Sequence, residues 1–194
     1  MPASLIRHAA NAVTGVRLVL TPVFLWAVVR AQQGGSGWPA AAAFAAVAVS
    51  DFADGRIARR FIMESATGRV LDHAADIAFI LAALGLYVAL GVVPWWVPAS
   101  MAAAFAVYVA DSLRRSHARP SLIGSRIGHV GGVCNYVLVG VLVGNHTLGL
   151  GWLPAAALRL LFLLVPVYSA ASIATRLLSA QRSALPATHV GSRL

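Results

Sequence analysis

Four of the six acidic residues in this chain fall into two closely spaced pairs. Asp51 and Asp54 are three residues apart in SDFADGRIARR, and Asp72 and Asp76 are four residues apart in GRVLDHAADIAF. On a helix, either spacing places both carboxylates on one face. If a tight turn joins two antiparallel helices, the pairs lie opposite each other and repel unless cations compensate them. Oxygen-only ligands suit Mg²⁺, Mn²⁺ or Ca²⁺, and two such ions about 3.5–4 Å apart can clamp a phosphoryl group.

The residues between the two acidic pairs indicate whether the carboxylates form a ligand site or are ordinary solvated helix ends. One acidic pair alone is most simply explained as a solvated helix cap. Here Gly55, Ala58 and Gly68 leave room for a ligand to approach the backbone. Arg59 can neutralise a carboxylate or bind a phosphate. Together with two acidic pairs, these residues favour a ligand site.

The elements that carry these residues have the composition of membrane helices. Hydrophobic residues make up 59% of the 194 residues and charged residues 11%, with a mean hydropathy of +0.79. A soluble domain carries about 25% charged residues. We therefore predict an all-α integral membrane protein with six transmembrane helices in one bundle, residues 1–179, and a polar tail, residues 180–194. The predicted spans are about 11–31, 38–58, 72–92, 95–113, 124–146 and 152–178.

The basic residues predict the orientation of this bundle. All fifteen are arginines, and the loops on one side contain only Arg30. The arginines of the other side are Arg7, Arg56, Arg59, Arg60, Arg69, Arg114, Arg115, Arg119, Arg126, Arg176, Arg182 and Arg193. The tryptophans predicted at the Arg30 side are Trp38, Trp95, Trp96 and Trp152. By the positive-inside rule, both termini and the acidic pairs face the cytoplasm in a multi-pass protein of the cell membrane.

The net charge and the cysteine content exclude other classes of partner and site. The net charge of +9 is spread over short loops, which suits anionic membrane lipid better than nucleic acid. Cys134 is the only cysteine, which excludes a disulfide within the chain and a cysteine-cluster metal site. We expect no nucleic-acid partner.

Taken together, the two pairs and the residues between them match a known family signature. The pattern D-x-x-D-G-x-x-A-R-x8-G-x-x-x-D-x-x-x-D over residues 51–76 resembles that of the CDP-alcohol phosphatidyltransferases. That family also has six transmembrane helices, with this signature across the second and third. The run N-x-x-T-x-x-R at residues 11–17, followed by Thr21 and Pro22, is similar to the family's first helix.

The resemblance implies an enzyme of phospholipid biosynthesis. A small alcohol would attack the lipid-bearing phosphorus of CDP-diacylglycerol and release CMP, with two Mg²⁺ or Mn²⁺ ions bound and the protein a homodimer. Asp76 would deprotonate the acceptor hydroxyl. The implied metal ligands are Asp51, Asp54, Asp72 and Asp76. The positions implied to line the CDP site are Gly55, Ala58, Arg59, Gly68 and Thr14.

The acceptor alcohol is less well determined by the sequence. Four arginines between spans four and five either bind a phosphorylated acceptor or only set the topology: Arg114, Arg115, Arg119 and Arg126. Glycerol 3-phosphate is the expected acceptor, with inositol, inositol phosphate, serine or another alcohol as alternatives. Phosphatidylglycerophosphate synthases usually have S-x-x-G-K-x-K-T before the fifth helix and Lys after the last aspartate. This chain has SRIGHVGG at residues 125–132 and Ile77 after Asp76.

Other interpretations remain open at the level of sequence. A transporter or channel would use Asp72 and Asp76 as a relay, and a prenyl-diphosphate transferase would also use paired aspartates with Mg²⁺. Arg17 either reaches the cytoplasmic site or caps span one, and Asp111 is a candidate partner for Arg159. His129 either supplies a cation or packs at the interface. Glycines at steps of four predict close helix packing or a face open to an acyl chain: Gly124, Gly128, Gly132, Gly140 and Gly144.

Overall fold

The described part of the chain is entirely helical apart from its connections. The computed structural model describes the backbone of residues 3–61, 66–116 and 126–184, and the side chains of residues 15–50, 74–111 and 132–178. The helices are α1 Ala3–Gln32, α2 Trp38–Phe61, α3 Ala66–Ala89, α4 Trp96–Ser116, α5 Arg126–Leu142 and α6 Ala155–Ala184. A π-helical turn, Val143–Thr147, continues α5. The all-α prediction is confirmed, and six α-helices occur within the described backbone.

Several helix ends differ from the predicted spans. α1 begins at Ala3 where the prediction began near residue 11, α3 lies over Ala66–Ala89 where the prediction gave 72–92, and α6 continues to Ala184. The predictions followed apolar side chains, whereas a helix continues through polar residues as long as its backbone hydrogen bonds are made.

Two helices end at glycines whose backbone conformation other residues rarely adopt. Gly34 has φ +89° after α1, and Gly91 has φ +72° after α3. After α3, the Gly91 N–H donates to the Val88 carbonyl and the Val92 N–H donates to the Tyr87 carbonyl, both at 2.9 Å. This is a Schellman motif, which satisfies carbonyl groups that the helix end leaves without partners. Gly91 thus fixes the end of the helix that carries Asp72 and Asp76.

Helix α3 lies at the centre of the bundle. It packs against α1, α4 and α5, while α1 also packs against α2 and α4 packs against α6. The buried side chains of Phe79, Ile80, Ala83, Leu84 and Tyr87 give α3 a continuous core face. The second acidic pair is therefore carried by the helix that has neighbours on three sides.

Hydrogen bonds between polar groups connect several segments at the end of the bundle that is remote from Asp76. The hydroxyl groups of Tyr87 and Thr147 lie 2.6 Å apart, which joins the end of α3 to the π-helical turn. The Leu153 backbone N–H donates to Asn145 Oδ1 at 2.8 Å and draws the start of α6 to the same place. A Cβ on Gly37 would clash with the Thr147 carbonyl, so the connection between α1 and α2 approaches this turn closely. The tryptophans that we predicted at one membrane face belong to this end of the bundle.

The exterior of the bundle is apolar along much of its length. Helical segments that are apolar and long enough to cross a membrane are Gly15–Gln32 and Ala155–Leu178, and shorter apolar helices cover Trp38–Ser50, Ala74–Ala89 and Trp96–Asp111. Exposed large side chains include Leu160, Leu163 and Val167 of α6. These features are consistent with a membrane protein, while the six-span topology remains a prediction.

The glycines of α5 differ in their surroundings. A Cβ on Gly140 would lie 3.1 Å from the Phe44 ring of α2, so Gly140 permits close helix packing as predicted. A Cβ on Gly144 would lie 2.6 Å from the Trp152 ring, a contact with the following connection. Gly132 has open space at this position. Gly124 lies outside the described residues, and Gly128 lies outside the described side chains.

Candidate active site

Side chains from three helices meet at Asp76. The Arg17 guanidinium of α1 contacts Asp76 Oδ1 through Nη1 at 2.5 Å. The Tyr136 hydroxyl of α5 donates a hydrogen bond to the same oxygen at 3.1 Å. The Arg17 side chain is 3% exposed and the Asp76 side chain 25% exposed, so the pair is buried on its arginine side and open on its aspartate side. Ala75 is buried beside Asp76.

The turn of α1 that follows Arg17 carries a threonine and a proline. Thr21, one turn after Arg17, donates its hydroxyl to the Arg17 carbonyl at 2.8 Å. Pro22 follows within the helix and has no N–H to give to the preceding turn. Whether Arg17 reached the site or capped span one was open from the sequence, and its contact with Asp76 places it at the site.

An aromatic layer lies one turn further along α3 from Asp76. It consists of Phe24, Phe44, Phe79 and Tyr136. The Phe79 ring lies 5.4 Å from that of Phe24, 6.5 Å from that of Phe44 and 6.1 Å from that of Tyr136, measured between centroids. Offset and tilted rings at such distances attract each other. The stacking on Phe79 restricts the ring that carries the Tyr136 hydroxyl.

The other predicted metal ligands lie on described helices but outside the described side chains. Asp51 and Asp54 belong to α2, and Asp72 belongs to α3 one turn before Asp76. Each pair is therefore on a helix, as predicted, and its spacing places both members on one face. The meeting of the two pairs stays a prediction. No group of three potential metal ligands occurs among side chains 15–50, 74–111 and 132–178.

The donor chemistry nevertheless fits a hard divalent cation. The predicted ligands are all carboxylates, and Asp76, the member whose side chain is described, is partly open at the point where three helices meet. Carboxylate oxygens are the ligands that Mg²⁺ and Mn²⁺ prefer.

The remaining predicted site residues are placed only by their helices. Gly55, Ala58 and Arg59 lie in the last part of α2, Gly68 in the first turn of α3, and Thr14 in α1 one turn before Arg17. Of the predicted acceptor residues, Arg114 and Arg115 lie in the last turn of α4 and Arg126 begins α5. Arg119 lies outside the described residues. His129 lies in α5, outside the described side chains.

The suggested pairing of Asp111 with Arg159 is wrong. Asp111 Oδ2 of α4 lies 3.6 Å from Arg176 Nη1 of α6, and the Arg176 guanidinium lies 4.7 Å from the centre of the Tyr108 ring. Arg159 is exposed near the start of α6. It precedes Arg176 by about 25 Å along the helix axis, which is too far to share its partner.

Tyr136 is the contributor to this site that the sequence analysis missed. It follows Asp76 by 60 residues and lies within an apolar run. An aromatic residue in such a run is ordinarily explained by packing. The sequence signal is a polar pair, Asn135 and Tyr136, near the middle of a helix that is apolar from Val137 to its end.

Comparisons with known proteins bear on the chemistry of this site. A family model described as CDP-alcohol phosphatidyltransferase matches residues 7–180. The cardiolipin synthase (CMP-forming) of Streptomyces coelicolor is 43% identical over 77 residues, 38% of this chain and 35% of that protein. A probable phosphatidylglycerophosphate synthase of Mycobacterium tuberculosis is 39% identical over 97 residues, 47% of this chain and 45% of that protein. The matched segment thus spans less than half the length of either relative. These matches favour the phosphatidyltransferase interpretation over a transporter or a prenyl-diphosphate transferase.

Proposed function

The chain belongs to the CDP-alcohol phosphatidyltransferase family, and from this we propose that it transfers a phosphatidyl group from CDP-diacylglycerol to an alcohol and releases CMP. The main support is the position of Asp76. The family signature assigns the base to this residue, and its carboxylate is held by Arg17 and Tyr136 where three helices meet. A carboxylate held in this way can accept a proton from a bound hydroxyl.

The reaction uses Asp76 to activate the acceptor. The acceptor hydroxyl gives its proton to the Asp76 carboxylate, and its oxygen attacks the phosphorus that bears the diacylglycerol. The new P–O bond forms as the bond from that phosphorus to the CMP oxygen breaks, and CMP leaves as an anion. Two Mg²⁺ or Mn²⁺ ions held by Asp51, Asp54, Asp72 and Asp76 would supply positive charge against the diphosphate oxygens.

The signature residues around the aspartates bind the nucleotide in this proposal. Gly55 and Gly68 have no side chain and Ala58 has only a methyl group, so the cytidine and its phosphates would have room to approach the helix backbones. Arg59 contributes a fixed positive charge with the planar geometry that suits phosphate. Thr14 lies in α1 one turn before Arg17, and we assign its hydroxyl to the same nucleotide site.

We propose that the acceptor carries a glycerol phosphate group. The relatives are named for phosphatidylglycerophosphate and cardiolipin, both of which contain glycerol joined to phosphate. Free glycerol 3-phosphate is the expected source, and the arginines between the fourth and fifth predicted spans would bind its phosphate: Arg114, Arg115, Arg119 and Arg126. The similarity to a cardiolipin synthase supports a second source, the glycerol head group of a membrane lipid.

The same proposal includes the arrangement in the membrane. Six spans, cytoplasmic termini and an active site at the cytoplasmic face place Asp76 where a lipid donor and a soluble or lipid acceptor can both reach it. The apolar exterior of α1 and α6 supports this arrangement. A homodimer in the cell membrane is the assembly that the family resemblance implies.

An acceptor panel tests the proposed function. Purified protein in detergent is given CDP-diacylglycerol, Mg²⁺ or Mn²⁺, and one acceptor at a time from glycerol 3-phosphate, phosphatidylglycerol, inositol, inositol phosphate and serine. We expect metal-dependent CMP release with one of the two glycerol phosphate acceptors. Release with the lipid acceptor alone would reject glycerol 3-phosphate, and no CMP with any acceptor would reject the proposed reaction.

A further inference from the structure

Among the described side chains, donors from two different helices meet a single oxygen of Asp76. Arg17 Nη1 approaches Oδ1 from α1 and Tyr136 Oη approaches it from α5, while α3 carries the carboxylate between them. A carboxylate on a flexible side chain can rotate about two bonds. Contacts from two directions at one oxygen remove this freedom and fix the plane of the group.

The two donors are themselves held in place. Arg17 is 2% exposed, and separating a buried guanidinium from a carboxylate that it contacts is unfavourable, so the contact with Asp76 restricts both groups. The Tyr136 ring lies nearly parallel to the Phe79 ring, with 20° between their planes. Phe79 is buried against Phe24 and Phe44, so the layer restricts the ring and thereby the hydroxyl.

We propose that Arg17 and Tyr136 are positioning residues for Asp76. They set the orientation of its carboxylate so that the acceptor hydroxyl meets the base in a reactive geometry. The inference rests on the proposed function, because it assigns to these residues an effect on the proton-transfer step. A displacement of about 1 Å at a reacting group can lower a rate by about a hundredfold, so fixing this carboxylate has a large effect on turnover.

Tyr136→Phe tests the inference with the smallest change. It removes the hydroxyl and keeps the ring in the aromatic layer. We expect kcat for CMP release to fall about tenfold, the effect of losing one hydrogen bond to a charged group. The KM values for CDP-diacylglycerol and for the acceptor should stay within about twofold, because the proposed effect is on the step after binding.

Tyr87→Phe is the matched control. It also removes a hydrogen-bonded tyrosine hydroxyl from the bundle, but about 16 Å further along α3, where Tyr87 meets Thr147. We expect it to lower the melting temperature in detergent and leave kcat unchanged. If both tyrosine variants lower kcat equally, the effect is one of general stability and the inference is overturned.

Arg17→Lys and Arg17→Gln form a second, independent test. Lysine keeps the charge but lacks the planar fork, so we expect kcat to fall about tenfold, and about a hundredfold or more for glutamine, again with little change in KM. If Tyr136→Phe fails to fold, this pair decides the inference. Equal activity in the lysine and glutamine variants would overturn it, as would a rise in KM with kcat preserved.

Different results would reject the proposed function and the positioning role of Arg17 and Tyr136. Absence of CMP release by the wild-type protein rejects the proposed function. Wild-type release together with full kcat in Tyr136→Phe rejects only the positioning role.

Discussion

Asp76 has two different roles, because it forms an ion pair with Arg17 within the bundle and is also the proposed base. Arg17 is 2% exposed and forms an ion pair with Asp76, so the charge of Asp76 also stabilises the fold. A variant that removes this charge therefore has consequences for stability as well as for turnover. From the sequence alone, the substitution would be expected to affect only catalysis.

Asp76→Asn is predicted to stop CMP release and to lower stability. Loss of a general base reduces kcat by about 10²–10⁴-fold. Removing one partner of a buried ion pair costs about 3–5 kcal/mol, and we expect the lower end of this range because Asp76 is 25% exposed. CMP release and thermal unfolding in detergent measure the two effects separately.

The double variant Arg17→Gln with Asp76→Asn controls for the lost charge. It removes both charges, so we expect it to be more stable than Asp76→Asn alone and equally inactive. An Asp76→Asn protein as stable as wild type would contradict the contribution of this ion pair to folding.

The sequence predicts some members of this site and misses others for a physical reason. Asp76 is found from its spacing to Asp72, which follows from the helix period. The sequence indicates Arg17 as a candidate site residue, but it does not identify Asp76 as a partner of Arg17. Tyr136 is not found, because its hydrogen bond joins residues 60 positions apart, and its position depends on rings contributed by three other points in the chain. Periodicity within one helix carries no information on such lateral contacts.

At the scale of helices, the pair α4 and α6 is joined by a polar clamp. Arg176 of α6 lies over the Tyr108 ring at 4.7 Å and 3.6 Å from Asp111, both on α4. The arginine side chain is 20% exposed and the aspartate side chain 16% exposed. The clamp therefore acts in a partly dehydrated setting, where cation–π and ionic contacts are stronger than at a fully wet surface.

Arg176→Met is predicted to destabilise the protein by about 1–3 kcal/mol while leaving the KM for CDP-diacylglycerol unchanged. The methionine keeps an unbranched apolar side chain but loses the guanidinium that joins Tyr108 to Asp111. Arg159→Met is the control, because Arg159 lies on the same helix and is exposed. Unfolding of both variants in detergent checks this, and equal stability of the two would contradict the role of the clamp.

The glycines of α5 make a second prediction at this scale. In Gly140→Ala the new Cβ lies 3.1 Å from the Phe44 ring, which is partly buried and stacked against Phe79. We expect a loss of about 1–3 kcal/mol from overpacking. Gly132→Ala meets open space, so it should stabilise the helix by about 0.5–1 kcal/mol. Thermal unfolding of the two variants distinguishes them, and effects of the same sign would contradict the packing assigned to Gly140.

The six predicted spans correspond to the six α-helices of the described backbone, but several predicted helix ends differ from the observed ones. Apolar runs separated by Gly- and Pro-containing connections locate each helix, and each predicted span falls largely within one helical segment of the described backbone. The ends depend on backbone hydrogen bonds, such as the Schellman motif at Gly91, and on polar residues that continue α1 and α6. The π-helical turn after α5 depends on contacts of Thr147 with Tyr87 and with the connection at Gly37, which are again lateral.

At the scale of the whole molecule, the exposed residues on the sides of the described bundle differ in kind from those at its ends. Apolar side chains cover the sides of the bundle, exemplified by Leu160, Leu163 and Val167. Tryptophans lie at one end, where Trp38, Trp95 and Trp152 are 65–70% exposed. Amphipathic rings of this kind favour the boundary between lipid and water, and arginines favour the cytoplasmic side. The two signals support the proposed orientation, in which opposite ends of the bundle lie at opposite membrane faces.

Single-cysteine labelling of intact cells tests this orientation. In a Cys134→Ser background the chain has no other cysteine, so a new one can be placed on either side of the membrane. Ser36→Cys lies in the exposed connection between α1 and α2, at the tryptophan end, and should react with a membrane-impermeant maleimide in intact cells. Ser121→Cys lies between Arg119 and Arg126 in the sequence, on the side that is rich in arginine, and should react only after the cells are permeabilised. Both variants must first retain wild-type CMP release, so that labelling reports on the active protein. Labelling of Ser121→Cys in intact cells would place the arginines outside the cell and would contradict a cytoplasmic position for Asp76.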